Sequence, residues 1–554
     1  MKGRKRFAAG VLGVLDHITK RKYQAESSLC TVGEDEGESV ACEQSGGGLT
    51  PGSCGSGTES GDGSSMGYCD KRWRASVQPH VAVHAASSQR STTNSFASEI
   101  NFLCRGDEEV VDMCLYLAQL LSTARTCEAF VALLNLLVEH GADTVMASLR
   151  RAGLQSHIFS LLCKVSVNSV TAGNERLFFL VFAHLIALSE REAICNDELV
   201  CFLVDSLRPK EKGVVGDHVK KFHWSACARR PNSSGMAAEN GKEPAKAVGR
   251  LIKSDEGSSA ASLVLRALLD IVFYFNGRAS LPGEKNVSVI FVQHGGLELA
   301  AGLMNGPECV DALHLLEVVT LCESLKENYA VELQKAVLTV AQFVVDKAGA
   351  CADDLLNAAL RVLTNLTSLV PWAFHGETEE KKSICTALVA VIIKTLVDAD
   401  AMPDTLALAL CLTTNIVKWE ADEGCSEFTA LLVRLPSFLQ RVAVLMLRAY
   451  NAEGTEWQVI AGYYALLLAV LSLCDSPSLQ LRIPVTTSIA NAAKRTSAGK
   501  AAEEKPMALI VAILQEFVLF HSAARALTKD NLRNMNGVIE EVMKRNGIEI
   551  SATL

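Results

Sequence analysis

From about position 107 almost to its end, apolar residues in this chain recur at three- and four-residue intervals, the spacing that places them on one face of an α-helix. Val110, Val111, Met113, Cys114, Leu117, Leu120 and Leu121 open the pattern, and residues 130–138 repeat it. The next unit, MASLRRAGLQSHIFSLLCKVS, predicts a helix that is interrupted at Gly153 and resumes to bury Ile158, Phe159, Leu161 and Leu162. A polar turn over 168–174 leads into the run LFFLVFAHLIAL from Leu177. Asn196 and Asp197 then form a capping pair ahead of a short helix over 198–207. Between 259 and 544 helix follows helix, joined by connections such as GEKN, GGLE, VPWAFHGETEE, DADAMPD, EADEGCSE and CDSPS. Sustained strand alternation is absent, and helix pairs recur every roughly 40 to 50 residues, as in HEAT or armadillo units. The expected fold class is all-α, a HEAT/armadillo-like helical repeat solenoid in two lobes.

Where the pattern fails, the chain divides. Residues 24–95 are rich in Gly, Ser, Thr and acidic side chains, as in GGGLTPGSCGSGTESGDGSS, and hold too little apolar material to offset chain entropy. Residues 208–253 carry Pro209, Pro231 and Pro244 and the basic run HVKKFHWSACARR, which reads as a surface insertion or a flexible peptide ligand. The domain reading is therefore residues 1–100, a disordered N-terminal extension with basic clusters; 101–208, an N-terminal helical-repeat lobe; 209–255, a flexible insertion; and 256–550, a C-terminal helical-repeat lobe. A polar stretch over 492–505, AAKRTSAGKAAEEK, fits either an exposed helix end or a loop.

Two apolar runs, from Leu177 and from Tyr463, each extend about a dozen residues against the roughly 20 that a membrane crossing needs, which makes them buried core helices. The opening MKGRKRFAAGVLGVLDHITKRKY sets basic clusters around a short apolar run, but no small-residue cleavage site follows. Its lysines and arginines over 2–6 and 20–22 read either as nuclear-import signals or as the solvated side of an amphipathic helix. A formal charge of -9 argues against a main surface that neutralises phosphates, so any DNA association is expected to be indirect. The 18 cysteines, many in apolar helical segments, read as buried reduced thiols in an intracellular chain.

Chemistry-bearing motifs are missing. No GxxxxGK[ST] loop occurs, and the Gly-rich linker lacks the lysine and the following helix of a phosphate cradle. Cys30, Cys42, Cys54 and Cys69 contain none of the close pairs that tetrahedral zinc sites use. His140, His157 and His184 lie in apolar helical contexts, and neither Cys163 nor Cys411 has an identifiable base. The expectation is no catalytic residues, no cofactor and no metal.

Several segments, taken in order, resemble the C-terminal domain of the Wapl (wings apart-like) family. They are RRAGLQSHIF (150–159), IALSERE (186–192), NDELVCFLVDSL (196–207), HGGLELAAGLM (294–304), ALHLLEVVTLCESLKENYA (312–330), LRVLTNLTSLVPWAFHG (360–376), LCLTTNIVKWE (410–420), IAGYYALLLAVLSLCDSP (460–477) and ILQEFVLFHSAARALTKDN (513–531). Glu190 separates Ser189 from Arg191 where the family runs Leu-Ser-Arg, and the Phe-Gly-Phe motifs of some animal members do not occur. The resemblance spans 101–550. It implies a nuclear, chromatin-associated, non-enzymatic protein of sister-chromatid cohesion that binds the core and HEAT-repeat accessory subunits of cohesin and promotes cohesin release.

Candidate partner-binding residues are Asn365, Thr367, Trp372, Asn415, Trp419, Lys494 and Arg495. Asn365 and Asn415, each after an apolar stretch, either cap or bond locally or display a polar group on a shared ridge. Trp372 in VPWAFHG and Trp419 beside EADE are loop aromatics that either anchor a partner or pack over their own helix ends. Lys494 and Arg495 read as a solvated basic face or as a contact for an acidic surface. The competing function is a generic HEAT/armadillo adaptor or regulatory subunit, for nuclear transport or as a phosphatase scaffold. An import adaptor's groove uses Trp with Asn at the fourth following position, and none of Trp372, Trp419 or Trp457 has it.

Overall fold

A computed structural model describes residues 141–151, 153–163, 175–208, 258–276, 286–349, 353–376, 378–476, 479–496, 505–523 and 529–548, with scattered positions from 110 to 140. The expected N-terminal extension, its cysteines and basic clusters, and the 209–255 insertion lie outside the described residues, as does 497–504 of the polar stretch.

Described residues are about 83% helical; their one sheet is a two-residue antiparallel pairing of Asp475 and Ser476 with Gln480 and Leu479. Gly153, at φ 68°, breaks the helical path between α1 (Ala142–Arg151) and α2 (Gln155–Cys163) where the sequence placed the interruption. The apolar run from Leu177 lies in α3 (Glu175–Leu188). Asn196 caps α4 (Asp197–Ser206), its Oδ1 accepting from the Leu199 amide at 2.8 Å.

The remaining helices fall into two rows. One contains α5 (Ala260–Asn276), α8 (Cys309–Val319), α10 (Asp353–Leu369), α12 (Pro403–Glu423), α15 (Thr455–Leu473) and α17 (Pro506–Ala523), each packed on the next. The other contains α6 (Val287–Gln293), α7 (Gly296–Leu303), α9 (Ala330–Lys347), α11 (Glu379–Val397), α14 (Phe438–Tyr450) and α16 (Arg482–Thr496), again packed in succession. Short α13 (Glu427–Val433) bridges α11, α12 and α14, and α18 (Lys529–Asn546) closes against α15 and α17. Helices pair across the rows as α7 with α8, α9 with α10, α11 with α12 and α14 with α15.

The rows differ in sequence for a physical reason. From Thr405 to Val417 every side chain of α12 is buried, and so is every one of α15 from Ile460 to Leu473. A helix apolar on all sides is stable only with neighbours all round it. Threonines in this row bond to their own helix: the Thr320, Thr364 and Thr413 hydroxyls each donate to the carbonyl four residues back, at 2.7, 2.7 and 2.6 Å.

One expectation is corrected here. The apolar run from Tyr463 belongs to a 19-residue helix, and α15 and α17 are both long and apolar enough to cross a membrane by length and composition. Run length therefore does not exclude a crossing. For α15 the neighbours explain the apolarity instead, since 78% of its apolar window is buried inside the protein by α12, α14, α17 and α18.

Helices on either side of residues 209–257 pack directly on each other, α3 and α4 against α5 and α6. Arg191 forms an ion pair with Asp270 at 2.8 Å, and the Arg176 guanidinium donates to the Ser258 carbonyl at 2.8 Å. The described residues belong to one contact unit, with no packing break between the stretches read as two lobes.

Candidate functional site

A polar seam runs through the first row of helices. Ser262 and Arg266 of α5 donate to Asp311 of α8, the latter at 3.1 Å. Arg361 of α10 lies 3.0 Å from the Glu317 carboxylate of α8, both side chains at most 10% exposed. The guanidinium Nε–H is not directed along that line, so the attraction is Coulombic rather than a formed hydrogen bond. Asn357 of α10 accepts from Thr405 of α12 at 2.7 Å.

Asn365 and Asn415 belong to this seam and repeat one device. The Asn365 amide donates to the Glu317 carbonyl at 3.1 Å and to the Thr320 hydroxyl at 3.3 Å; the Asn415 amide donates to the Thr364 carbonyl at 3.2 Å and reaches the Thr367 hydroxyl at 3.5 Å. The partners lie 48 and 51 residues back, about one helix pair. Glu317 stands in the last turn of α8, where carbonyls run out of backbone amide donors; its carbonyl accepts from the Thr320 hydroxyl at 3.1 Å and, across the helix interface, from Asn365. All three of Asn365, Thr367 and Asn415 are at most 5% exposed. They lie inside the protein, bonded to a neighbouring helix, and present no polar ridge to solvent.

The tryptophans are placed differently. Trp372 sits in a short 3-10 helix, Pro371–Phe374, directly after α10; it is half-buried against the core, with the Lys326 ammonium 5.7 Å from its ring centroid. Trp419 is half-buried in the last turns of α12, and the His375 ring lies 5.6 Å from it, edge to face. His375 Nδ1 is 3.2 Å from a Glu427 carboxylate oxygen. His375 thus joins the turn after α10 to the end of α12 and the start of α13, bringing both tryptophans to one edge of adjacent helix pairs.

Glu420 holds this edge in shape. Its carboxylate, 2% exposed, accepts from the Phe428 amide at 2.7 Å, the Thr429 amide at 2.8 Å and the Thr429 hydroxyl at 2.6 Å. Those amides open α13, so one buried anion satisfies the orphan donors of a helix N-terminus and complements its dipole. Gly424, at φ 75°, makes the turn between them, and the Gly424 and Cys425 amides both return to the Glu420 carbonyl. Glu420 therefore fixes α12 to α13 one residue from Trp419.

Lys494 and Arg495 are exposed in the last turn of α16, where cations complement the helix dipole. The main packing partners of α16 are α14, α15 and α17, so this basic pair does not belong to the tryptophan edge.

Three described thiols, Cys385, Cys411 and Cys425, are chemically quiet. Burial pushes the Cys385 thiol up to about 12, and burial with Glu420 raises Cys425 to about 11. Cys411, enclosed in α12, is driven well above the ordinary thiol range by burial. Thiolates are accordingly scarce at neutral pH, the opposite of an activated nucleophile. Sequence reasoning did not single out Lys326, His375, Glu420 or Glu427. Only His375 carried a signal, its place beside Trp372 in VPWAFHG.

No protein-family model matches the chain, and no curated protein matches it.

Proposed function

We propose that this protein is a non-catalytic interaction scaffold, a HEAT/armadillo-like solenoid, that binds cohesin and promotes its release from chromatin in the nucleus. Its partners on this reading are the core and HEAT-repeat accessory subunits of cohesin, and DNA is approached only through them. The observation that carries the scaffold reading is the edge at the ends of α10 and α12, which holds two half-buried tryptophans, Trp372 and Trp419, the latter against His375 and next to the buried Glu420 anchor. Large, partly exposed aromatics on a rigid frame are the side chains that most often dominate protein interfaces. The cohesin assignment rests on the ordered Wapl-like segments. Five of the nine fall on one row of helices, at α8, α10, α12, α15 and α17, which makes them parts of a continuous packing unit.

The test is affinity purification of the tagged protein from nuclease-treated nuclear extract, followed by mass spectrometry. Cohesin subunits are expected, and their yield should fall at least tenfold with the double variant Trp372→Ala, Trp419→Ala. Depletion of the protein should lengthen cohesin residence on chromatin in photobleaching recovery; unchanged recovery would remove the release assignment. Capture of a phosphatase without cohesin would favour the second reading, a generic adaptor or regulatory subunit.

A further inference from the structure

Two short stretches on the second row of helices repeat each other. Arg434-Leu435-Pro436 leads into α14, and Arg482-Ile483-Pro484 opens α16, 48 positions later, the separation also found between Glu317 and Asn365. Proline suits a place just before or within a first helical turn, where its missing N–H leaves no bond unmade. Every residue of both stretches is exposed, Leu435 by 38% and Ile483 by 77%. α14 and α16 pack side by side, and each is joined to α15 by a short connection, so the two run in the same direction. Both stretches therefore lie at the same end of neighbouring helices.

Local structure accounts for part of this arrangement. Arg434 stands at the C-terminus of α13, where a cation complements the dipole. Arg482 is the reverse case, a cation in the first turn of α16, which the dipole disfavours. A single exposed aliphatic side chain is ordinary on any surface, but that does not explain one order of Arg, aliphatic and Pro at successive positions of the repeat. Neither guanidinium has a hydrogen bond or ion pair among the described residues. The surroundings are of one sign: no Asp or Glu occurs over 428–452 or 476–502, in a chain of formal charge -9, and Arg441 and Arg448 are exposed along α14.

We propose that this end of α14 and α16 is a docking surface for an extended acidic segment of a partner protein that carries an aliphatic side chain at every third position. Carboxylates of the segment meet Arg434 and Arg482, and its aliphatic side chains cover Leu435 and Ile483. A polyproline-type strand brings every third side chain to one side at intervals of about 9 Å, which matches the roughly 8 to 10 Å between packed helices. Nucleic acid fits less well. Phe438 is buried and Tyr450, the other aromatic residue of these two helices, is tied through its hydroxyl to Glu516, which leaves no free ring for bases to stack on. The surface is built on other helices than the tryptophan edge, and charge complementarity of this kind sets specificity and weakens with salt.

The test is fluorescence anisotropy of the probe fluorescein-Gly-Glu-Leu-Asp-Glu-Leu-Asp-Gly-amide titrated with the full chain, in about 0.15 M salt to screen distant charges. One comparison peptide has serine for both leucines, and another has lysine for every acidic residue. Saturable binding is expected, weakened at least tenfold by either peptide change and by each of Arg482→Glu and Ile483→Ser, exposed positions whose replacement removes no core packing. Arg448→Glu, exposed toward the far end of α14, should change affinity less than twofold. Equal binding of the serine peptide, or equal weakening by Arg448→Glu and Arg482→Glu, would reduce the effect to unspecific charge attraction and overturn the proposal. Absence of saturable binding at millimolar chain would also overturn it. So would sedimentation of the chain with phosphatidylserine vesicles that Ile483→Ser abolishes, which would assign the surface to lipid, or self-association lost in that variant, which would assign it to a second copy.

Discussion

Removing the Glu420 carboxylate is the perturbation whose outcome follows most directly from the geometry. In Glu420→Ala, the Phe428 and Thr429 amides and the Thr429 hydroxyl lose an anionic acceptor that each reaches within 2.8 Å. A buried donor left unmet costs about 1 to 3 kcal/mol, and bonds to a charged acceptor lie toward the upper end. Water entering the space and rotation of the hydroxyl recover part of this, so a net loss of about 3 kcal/mol is expected, localised to the α12–α13 junction. Glu420→Gln keeps one oxygen acceptor but turns an amide N–H toward a donor, and should lose about 2 kcal/mol. Thr429→Val removes one donor and leaves the carboxylate with both amides, at about 1 kcal/mol. Global melting of a many-helix chain is a poor reporter, because such arrays need not unfold in one step. Native-state hydrogen exchange of the peptide spanning 424–434 reads the junction itself. About 3 kcal/mol corresponds to exchange accelerated by roughly 100-fold in the alanine variant, with distant peptides from α5 or α17 unchanged. Acceleration below threefold, or the order Gln worse than Ala, would refute the assignment of Glu420 as the cap of α13.

Further predictions concern packing and charge. A Cβ on Gly462 would stand 2.0 Å from the Phe517 ring, so Gly462→Ala should lower stability by about 2 kcal/mol despite its better helix propensity. Most of that loss should vanish in a Phe517→Leu background, as measured by native-state hydrogen exchange of peptides from α15 and α17. Arg361→Ala leaves Glu317 buried without its counter-charge and should cost about 3 to 5 kcal/mol, whereas Glu317→Leu with Arg361→Met should be close to neutral, both read by hydrogen exchange of peptides from α8 and α10. Burial holds the His184 imidazole below its ordinary value of 6.5, with Asp143 partly opposing. A depressed value means that the unfolded chain binds the proton more readily, so His184 contributes stability above pH 6.5 that is lost as pH falls. His184→Gln should flatten the fall in local stability of α3 between pH 7 and 5, read by hydrogen exchange corrected for the intrinsic rate at each pH, and an unchanged slope would show that His184 contributes nothing to it.

Much of the fold was legible in the order of residues. Three- and four-residue spacing, the Gly153 interruption and the Asn196 cap are local signals, because helix period and capping involve atoms a few residues apart. All-round apolarity in the runs from Leu177 and Tyr463 announced burial, although the run from Tyr463 understated its helix: Thr455, Glu456 and Gln458 complete the first turn with polar residues. What occupies which row, and what each polar residue bonds, was decided by tertiary structure. Asn365 and Asn415 read alike as candidates for display or capping, since nothing local distinguishes an amide facing water from one facing a helix 48 or 51 residues earlier. The two tryptophans were visible singly, but the contact of Trp419 with His375, in the turn that carries Trp372, depends on how α10 and α12 end, and that is set by packing. Glu420 looked like one more member of an acidic loop; only the return of the chain through Gly424 brings two amides and a hydroxyl onto its carboxylate and makes it a buried anchor. Periodicity is a property of neighbours in sequence and survives in one dimension, whereas the partner of a polar side chain is chosen by the approach of segments far apart in the chain.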